Sequence, residues 1–93
     1  MTFEPFQDVI LTADIPEHDL RAGDVGTVVE HRRAPGQEDG YSVEFFDMTG
    51  RTVAVALLPA SRLRAPTSSD RPSVRAPARL EVRAFDRTRG RRQ

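Results

Sequence analysis

The residues from Leu20 to Glu30 are Leu-Arg-Ala-Gly-Asp-Val-Gly-Thr-Val-Val-Glu, a stretch with two glycines three apart directly before a β-branched run. Gly23 is free to take the positive φ of a tight turn, and Asp24 is suited to bond the turn backbone. Gly26 allows a neighbouring strand to approach closely or a bulge to form, and the Thr-Val-Val run that follows favours a strand. A tight turn that enters a curved strand indicates a small β-barrel.

Alternating segments on both sides of this stretch predict a meander of short antiparallel strands. In the third strand Tyr41, Val43 and Phe45 share the core face, while Phe46 faces away from it. Four to five such strands favour an all-β fold closed into a small antiparallel barrel, because closure removes exposed strand edges. The predicted strands are 8–12, 25–33, 41–47 and 51–58, with a short closing strand after the apolar anchor Leu63.

The composition changes after Arg64, so the chain divides into residues 1–65, the barrel, and residues 66–93, a Pro/Arg-rich linker and basic C-terminal extension. Within that extension, residues 78–85 alternate between apolar and charged side chains and could form one added strand. Residues 1–65 hold 11 acidic side chains and 6 arginines, whereas residues 66–93 hold 3 acidic side chains and 8 arginines. The formal net charge of zero therefore conceals an acidic body and a basic tail.

The composition excludes several classes of protein. Ninety-three residues with 38% hydrophobic content allow one small domain, which buries roughly 60% of its unfolded surface. The chain contains no cysteine, so neither a disulfide framework nor a thiolate metal site supports it. The sequence has neither the apolar core of a secretion signal nor a run long enough to span a membrane, and we expect a cytoplasmic protein without membrane contact.

The segments resemble a short bacterial family of unknown function, built around Gly-Asp-Val-Gly-Thr-Val-Val and Val-Glu-Phe. The resemblance covers about residues 6 to 64 and implies an SH3-like barrel, with no established activity to transfer. The segment from Gly23 to Val29 is more loosely similar to the KOW motif of ribosomal and transcription-factor barrels, which bind RNA or protein. Because the corresponding region here is acidic, phosphate would be repelled from the barrel itself.

The residue pattern predicts no catalytic residue, no metal ligand set and no cofactor. Neighbouring side chains such as those of Glu17, His18 and Asp19 rarely converge on one ion, and no second cluster supplies further ligands. Ser61 lacks the Gly-x-Ser-x-Gly context of a hydrolase nucleophile. His31 is explained by a surface position on a strand.

Phe46 is the strongest candidate contact for a protein partner, because it is an aromatic side chain predicted to face solvent. Two alternatives stay open: the basic tail, or Phe3 and Phe6 before the first strand, could cover it. The acidic first loop completes the predicted partner-binding set, which is Asp14, Glu17, Asp19 and Phe46. The predicted tail-binding set is Arg79, Arg83, Arg87, Arg89, Arg91 and Arg92.

These observations favour a non-enzymatic protein-interaction module with a bacterial accessory, immunity or antitoxin-like role. The alternative is a nucleic-acid-associated barrel that binds RNA or DNA through its arginine-rich tail. Binding to phosphates through several arginines weakens steeply with salt, whereas an apolar contact centred on Phe46 does not. The identity of the partner and the oligomeric state stay open.

Overall fold

The computed structural model describes residues 2–74, which form five antiparallel strands and two single-turn 3₁₀-helices. The strands belong to one sheet in the order β4-β3-β2-β1-β5. This architecture confirms the all-β prediction. The elements are β1 (Asp8–Leu11), η1 (Pro16–His18), β2 (Val25–Arg32), β3 (Gly40–Phe46), β4 (Thr52–Pro59), η2 (Ala60–Arg62) and β5 (Leu63–Arg64).

The last strand returns to the first, since β5 pairs with β1 through Ile10–Arg64 and Leu11–Leu63. At the other end of the sheet, β4 pairs with β3. Within residues 2–74 these two end strands do not pair with each other, so the closed barrel stays a prediction. No helix among these residues has the length and apolar character needed to cross a membrane.

The core lies on one face of the sheet and contains the three β3 side chains predicted for it, Tyr41, Val43 and Phe45. Two of these β3 side chains stand opposite small ones on β4: Phe45 pairs with Ala54, and Val43 pairs with Ala56. This complementarity fills the core without overpacking. The other core members are Phe3, Val9, Leu11, Ile15, Leu20, Val28, Leu58 and Leu63.

The turn before β2 has the predicted chemistry. Gly23 adopts a φ of 97°, and the Arg21 amide donates a hydrogen bond to Asp24 Oδ2 at 2.9 Å. Gly26 is buried and negative in φ, and the irregular register of β2 lies further on, between Val28 and Glu30. Of the two roles expected for Gly26, close approach is therefore the one observed.

The first loop, residues 12–24, is anchored at both ends rather than wholly solvated. Ile15 and Leu20 form an isolated antiparallel bridge and are both buried, which closes the loop around η1. Asp14 Oδ1 accepts a hydrogen bond from the Ala22 amide at 2.9 Å. The polar residues of this loop are thus held by two apolar anchors and one carboxylate.

The chain after β5 is held to the sheet by a two-point ion pair. The guanidinium of Arg64 donates to both carboxylate oxygens of Asp70, at 2.9 and 2.8 Å. The Thr67 amide donates to the same carboxylate at 2.7 Å. Residues 65–70 therefore form a fixed turn, whereas the added strand predicted at 78–85 lies outside the described residues.

Candidate functional site

Strand β4 turns its larger apolar side chains away from the core. Val53, Val55 and Leu57 are 58%, 54% and 61% exposed, while Ala56 and Leu58 on the other face are buried. The eight residues of β4 contain no charged side chain. The end of the sheet thus presents an uncharged, apolar outer surface to solvent.

A groove opens where this surface meets the end of the first loop and the start of the β3–β4 turn. Its volume is about 430 Å³, and residues 72–74 form part of its wall. Most of the polypeptide around it belongs to strands or to hydrogen-bonded turns, so the groove is preformed. Its apolar lining comes from Leu20, Val25, Phe45, Phe46, Met48, Val53 and Val74.

Three aspartates add negative charge to this apolar lining: Asp19, Asp24 and Asp47. Asp47 Oδ1 accepts hydrogen bonds from the Thr49 amide, the Thr49 hydroxyl and the Arg51 amide, at 2.8, 2.7 and 3.0 Å. These bonds, led by that of the Thr49 side chain, lower the pKa of Asp47 below its ordinary 3.8. Asp47 therefore stays ionised at neutral pH and in mild acid.

The structure brings together only part of the predicted partner-binding set. Phe46, 44% exposed, and Asp19 both line the groove, whereas Asp14 and Glu17 do not. Asp14 stabilises the first loop, as described above, and Glu17 lies exposed on η1. The arginines of the predicted tail-binding set lie beyond residue 74, outside the described residues.

The alternative in which Phe3 and Phe6 cover Phe46 is not observed, and the alternative cover by the basic tail lies outside the described residues. Phe3 is buried in the core, where its amide donates to the Tyr41 hydroxyl at 3.0 Å and the two rings meet edge to face. Phe6 is 78% exposed and has a positive φ of 68°. Phe46 itself remains accessible to solvent.

The main omission of the sequence prediction is the set of apolar side chains that line the groove together with Phe46. Val25 and Val53 lie on different strands and Met48 on a turn, and only the sheet topology brings them to one groove. The alternating pattern of β4 places Val53 on one face of the strand, so the sequence does carry a signal for this residue. No local signal marks Val25 or Met48, because an exposed single apolar residue is common.

The two side chains considered for chemistry have structural partners. His31 stacks on the Tyr41 ring with centroids 4.6 Å apart, and its Nε2 lies 2.8 Å from Asp39 Oδ2. Ser61 Oγ donates to Glu38 Oε1 at 3.2 Å, not to a histidine. Across residues 2–74, no three acidic or histidine side chains come together in a way that could hold a metal ion.

Taken with the sheet, this groove defines a small all-β domain with a preformed apolar surface cleft. The chain belongs to the family described as a domain of unknown function, DUF4926, whose model matches residues 6–65. No curated protein and no solved structure matches the chain. The match covers all five strands and the groove except its wall at residues 72–74.

Proposed function

We propose that this protein is a non-enzymatic protein-interaction module that binds an apolar, positively charged segment of a partner protein in the groove beside Phe46. The observation that carries the proposal is the exposed cluster of Phe46, Val53 and Met48 next to three aspartates. Exposed aromatic and aliphatic side chains on a rigid scaffold are the usual anchors of protein contacts. The carboxylates would select arginine or lysine in the partner.

The same charges disfavour the nucleic-acid alternative at this surface. Phosphate groups would meet Asp19, Asp24 and Asp47, whose charges repel them. An RNA or DNA partner would have to use the arginines of residues 75–93 instead. That alternative predicts binding that weakens steeply as the salt concentration rises, whereas an apolar contact at Phe46 does not.

We also propose the finer description of the fold as an SH3-like barrel. It is supported by five short strands in a meander, the last of which returns beside the first. A bacterial accessory, immunity or antitoxin-like protein of the cytoplasm fits a small acidic body without cysteine. All of these roles require that the protein bind a macromolecular partner without catalysing a reaction.

The proposal is tested by titrating the full chain with labelled peptides of equal length and following fluorescence anisotropy. One peptide combines apolar residues with arginine, a second replaces arginine with glutamate, and a third keeps arginine but lacks apolar residues. We expect the first peptide to bind most tightly. Phe46→Ser and Val53→Ser should each weaken binding by about tenfold, the size of a typical anchor contribution.

The matched control is Val29→Ser, because Val29 is also an exposed β-branched strand residue but lies outside the groove. Its affinity should equal that of the unmodified chain. A single-stranded RNA oligomer serves as the competing probe. Tight RNA binding that falls steeply with salt and ignores Phe46→Ser, together with no peptide binding, would replace this proposal with the nucleic-acid alternative.

A further inference from the structure

We propose that residues 78–85 of the same chain occupy the groove when no partner is bound. This inference rests on the proposed function, because it proposes that a segment of the same chain competes with the partner for the groove. The segment is Ala-Arg-Leu-Glu-Val-Arg-Ala-Phe. It has the composition that the groove favours, apolar side chains interspersed with arginine.

The position at which the described chain ends is the first support. Val74 lies in the groove wall together with Phe46 and Val53. The Arg64–Asp70 pair holds the preceding turn, and this ion pair therefore fixes where the chain reaches the groove. Only residues 75–77 separate Val74 from the segment, so the Cα atoms of residues 74 and 78 are at most about 14 Å apart.

Charge complementarity is the second support. Residues 75–93 hold 7 arginines and 2 acidic side chains, while residues 2–74 hold 12 acidic side chains and 7 arginines. The three aspartates of the groove lie at the end of the acidic body to which the basic segment is tethered. Opposite charges attract within a Debye length, about 8 Å at physiological salt, and the short tether allows the two to come within that range.

The alternation of the segment is the third support. In an extended conformation Leu80 and Val82 would share one side of the segment, and Arg79, Glu81, Arg83 and Phe85 would share the other. One side can therefore contact the apolar lining while the other meets carboxylates. Phe85 adds an aromatic side chain of the kind that anchors protein contacts.

The tether makes even a weak contact effective. A short linker gives an effective concentration in the mM range, so an intrinsic affinity of about 1 mM is enough for half occupancy. A partner then has to bind more tightly than the chain's own segment to displace it. The self-contact thus sets a threshold for partner binding.

The test places a nitroxide label on the segment in the full chain, which is simple because the chain has no cysteine. The variant Ala84→Cys is labelled, and amide signals of the ¹⁵N-labelled protein are recorded with the label oxidised and reduced. We expect selective loss of signal intensity at the amides of Phe46, Met48 and Val53. The change Leu80→Ser with Val82→Ser should restore that intensity, whereas the control Ala76→Ser should not.

A second sample shows whether the segment in the groove comes from the same chain or from a second copy. It mixes labelled chains without ¹⁵N with ¹⁵N chains without label, and signal loss there would assign the segment to a second copy and overturn the intramolecular proposal. Unchanged groove signals in the first sample would overturn self-occupancy altogether. Because no partner is present, either result leaves the peptide-binding test of the proposed function standing on its own.

Discussion

At Gly26 the missing side chain is what allows β2 and β3 to pack as they do. A Cβ atom built there would lie 2.6 Å from Val43 Cγ1 and 2.8 Å from Phe45 Cε2. Both neighbours are core side chains with at most 2% exposure, so neither can move without disturbing the interior. Glycine is therefore required at this position by space, not by backbone angle.

We expect Gly26→Ala to lower the free energy of unfolding by about 1–3 kcal/mol, the usual cost of overpacking a core. The matched control is Gly40→Ala on β3, where an added Cβ would meet Leu57 Cδ1 at an ordinary 3.5 Å. That change should stay within about 0.5 kcal/mol. Urea unfolding of both variants measures the difference, and equal midpoints would show that the space around Gly26 is not limiting.

Strand β4 illustrates where sequence alternation stops being informative. The alternation separates Val53, Val55 and Leu57 from the Ala54 face, but it does not say which set enters the core. Side-chain size alone would bury the valines. The structure turns the alanine face toward the core, with Ala56 buried and Ala54 partly buried, because Val43 and Phe45 opposite them on β3 already fill the interior.

The β3–β4 turn depends on one carboxylate. Asp47 accepts hydrogen bonds from Thr49 and Arg51, and the Gly50 amide donates to the Asp47 carbonyl at 3.0 Å. Gly50 has a φ of 90°, which a residue with a side chain adopts only under strain. The turn that borders the groove is thus set jointly by an ionised aspartate and a glycine.

We expect Asp47→Asn to destabilise the protein at pH 7 and to destabilise it less at pH 3. The pKa of Asp47 is lowered in the folded state, so its stabilising contribution is present above the unfolded value of 3.8 and disappears as the pH falls through the folded value. Urea midpoints of the variant and the unmodified chain at the two pH values measure this. A difference that is independent of pH would contradict a role for the charge.

At the scale of the whole molecule, the sequence predicted the strands and the outward position of Phe46 because both follow from a period of two. It could not predict the groove, since Val25, Met48 and Val53 become neighbours only through the order of strands in the sheet. The half-buried, stacked position of His31 was likewise missed. Its partners Tyr41 and Asp39 are distant in sequence and close only across the β2–β3 pair.

The segment that reaches the groove is held by the Arg64–Asp70 pair, which keeps the pKa of the Asp70 carboxyl well below its usual range. We expect Asp70→Ala to speed hydrogen exchange at the Thr67 amide, which donates to this carboxylate, while protection in β1 to β4 stays unchanged. The control Ser68→Ala changes an exposed side chain in the same turn. Equal exchange at Thr67 in all three proteins would rule out the anchoring role.

The pairing of β5 with β1 has a consequence for how the chain folds. The β2–β3 and β3–β4 hairpins join neighbouring strands, so little chain entropy is lost when each one closes. The β1–β5 contact instead joins the first and last strands of the chain and must close the longest loop in the domain. The central hairpins are thus expected to form the nucleus, with the outer closure completed after the rate-limiting step.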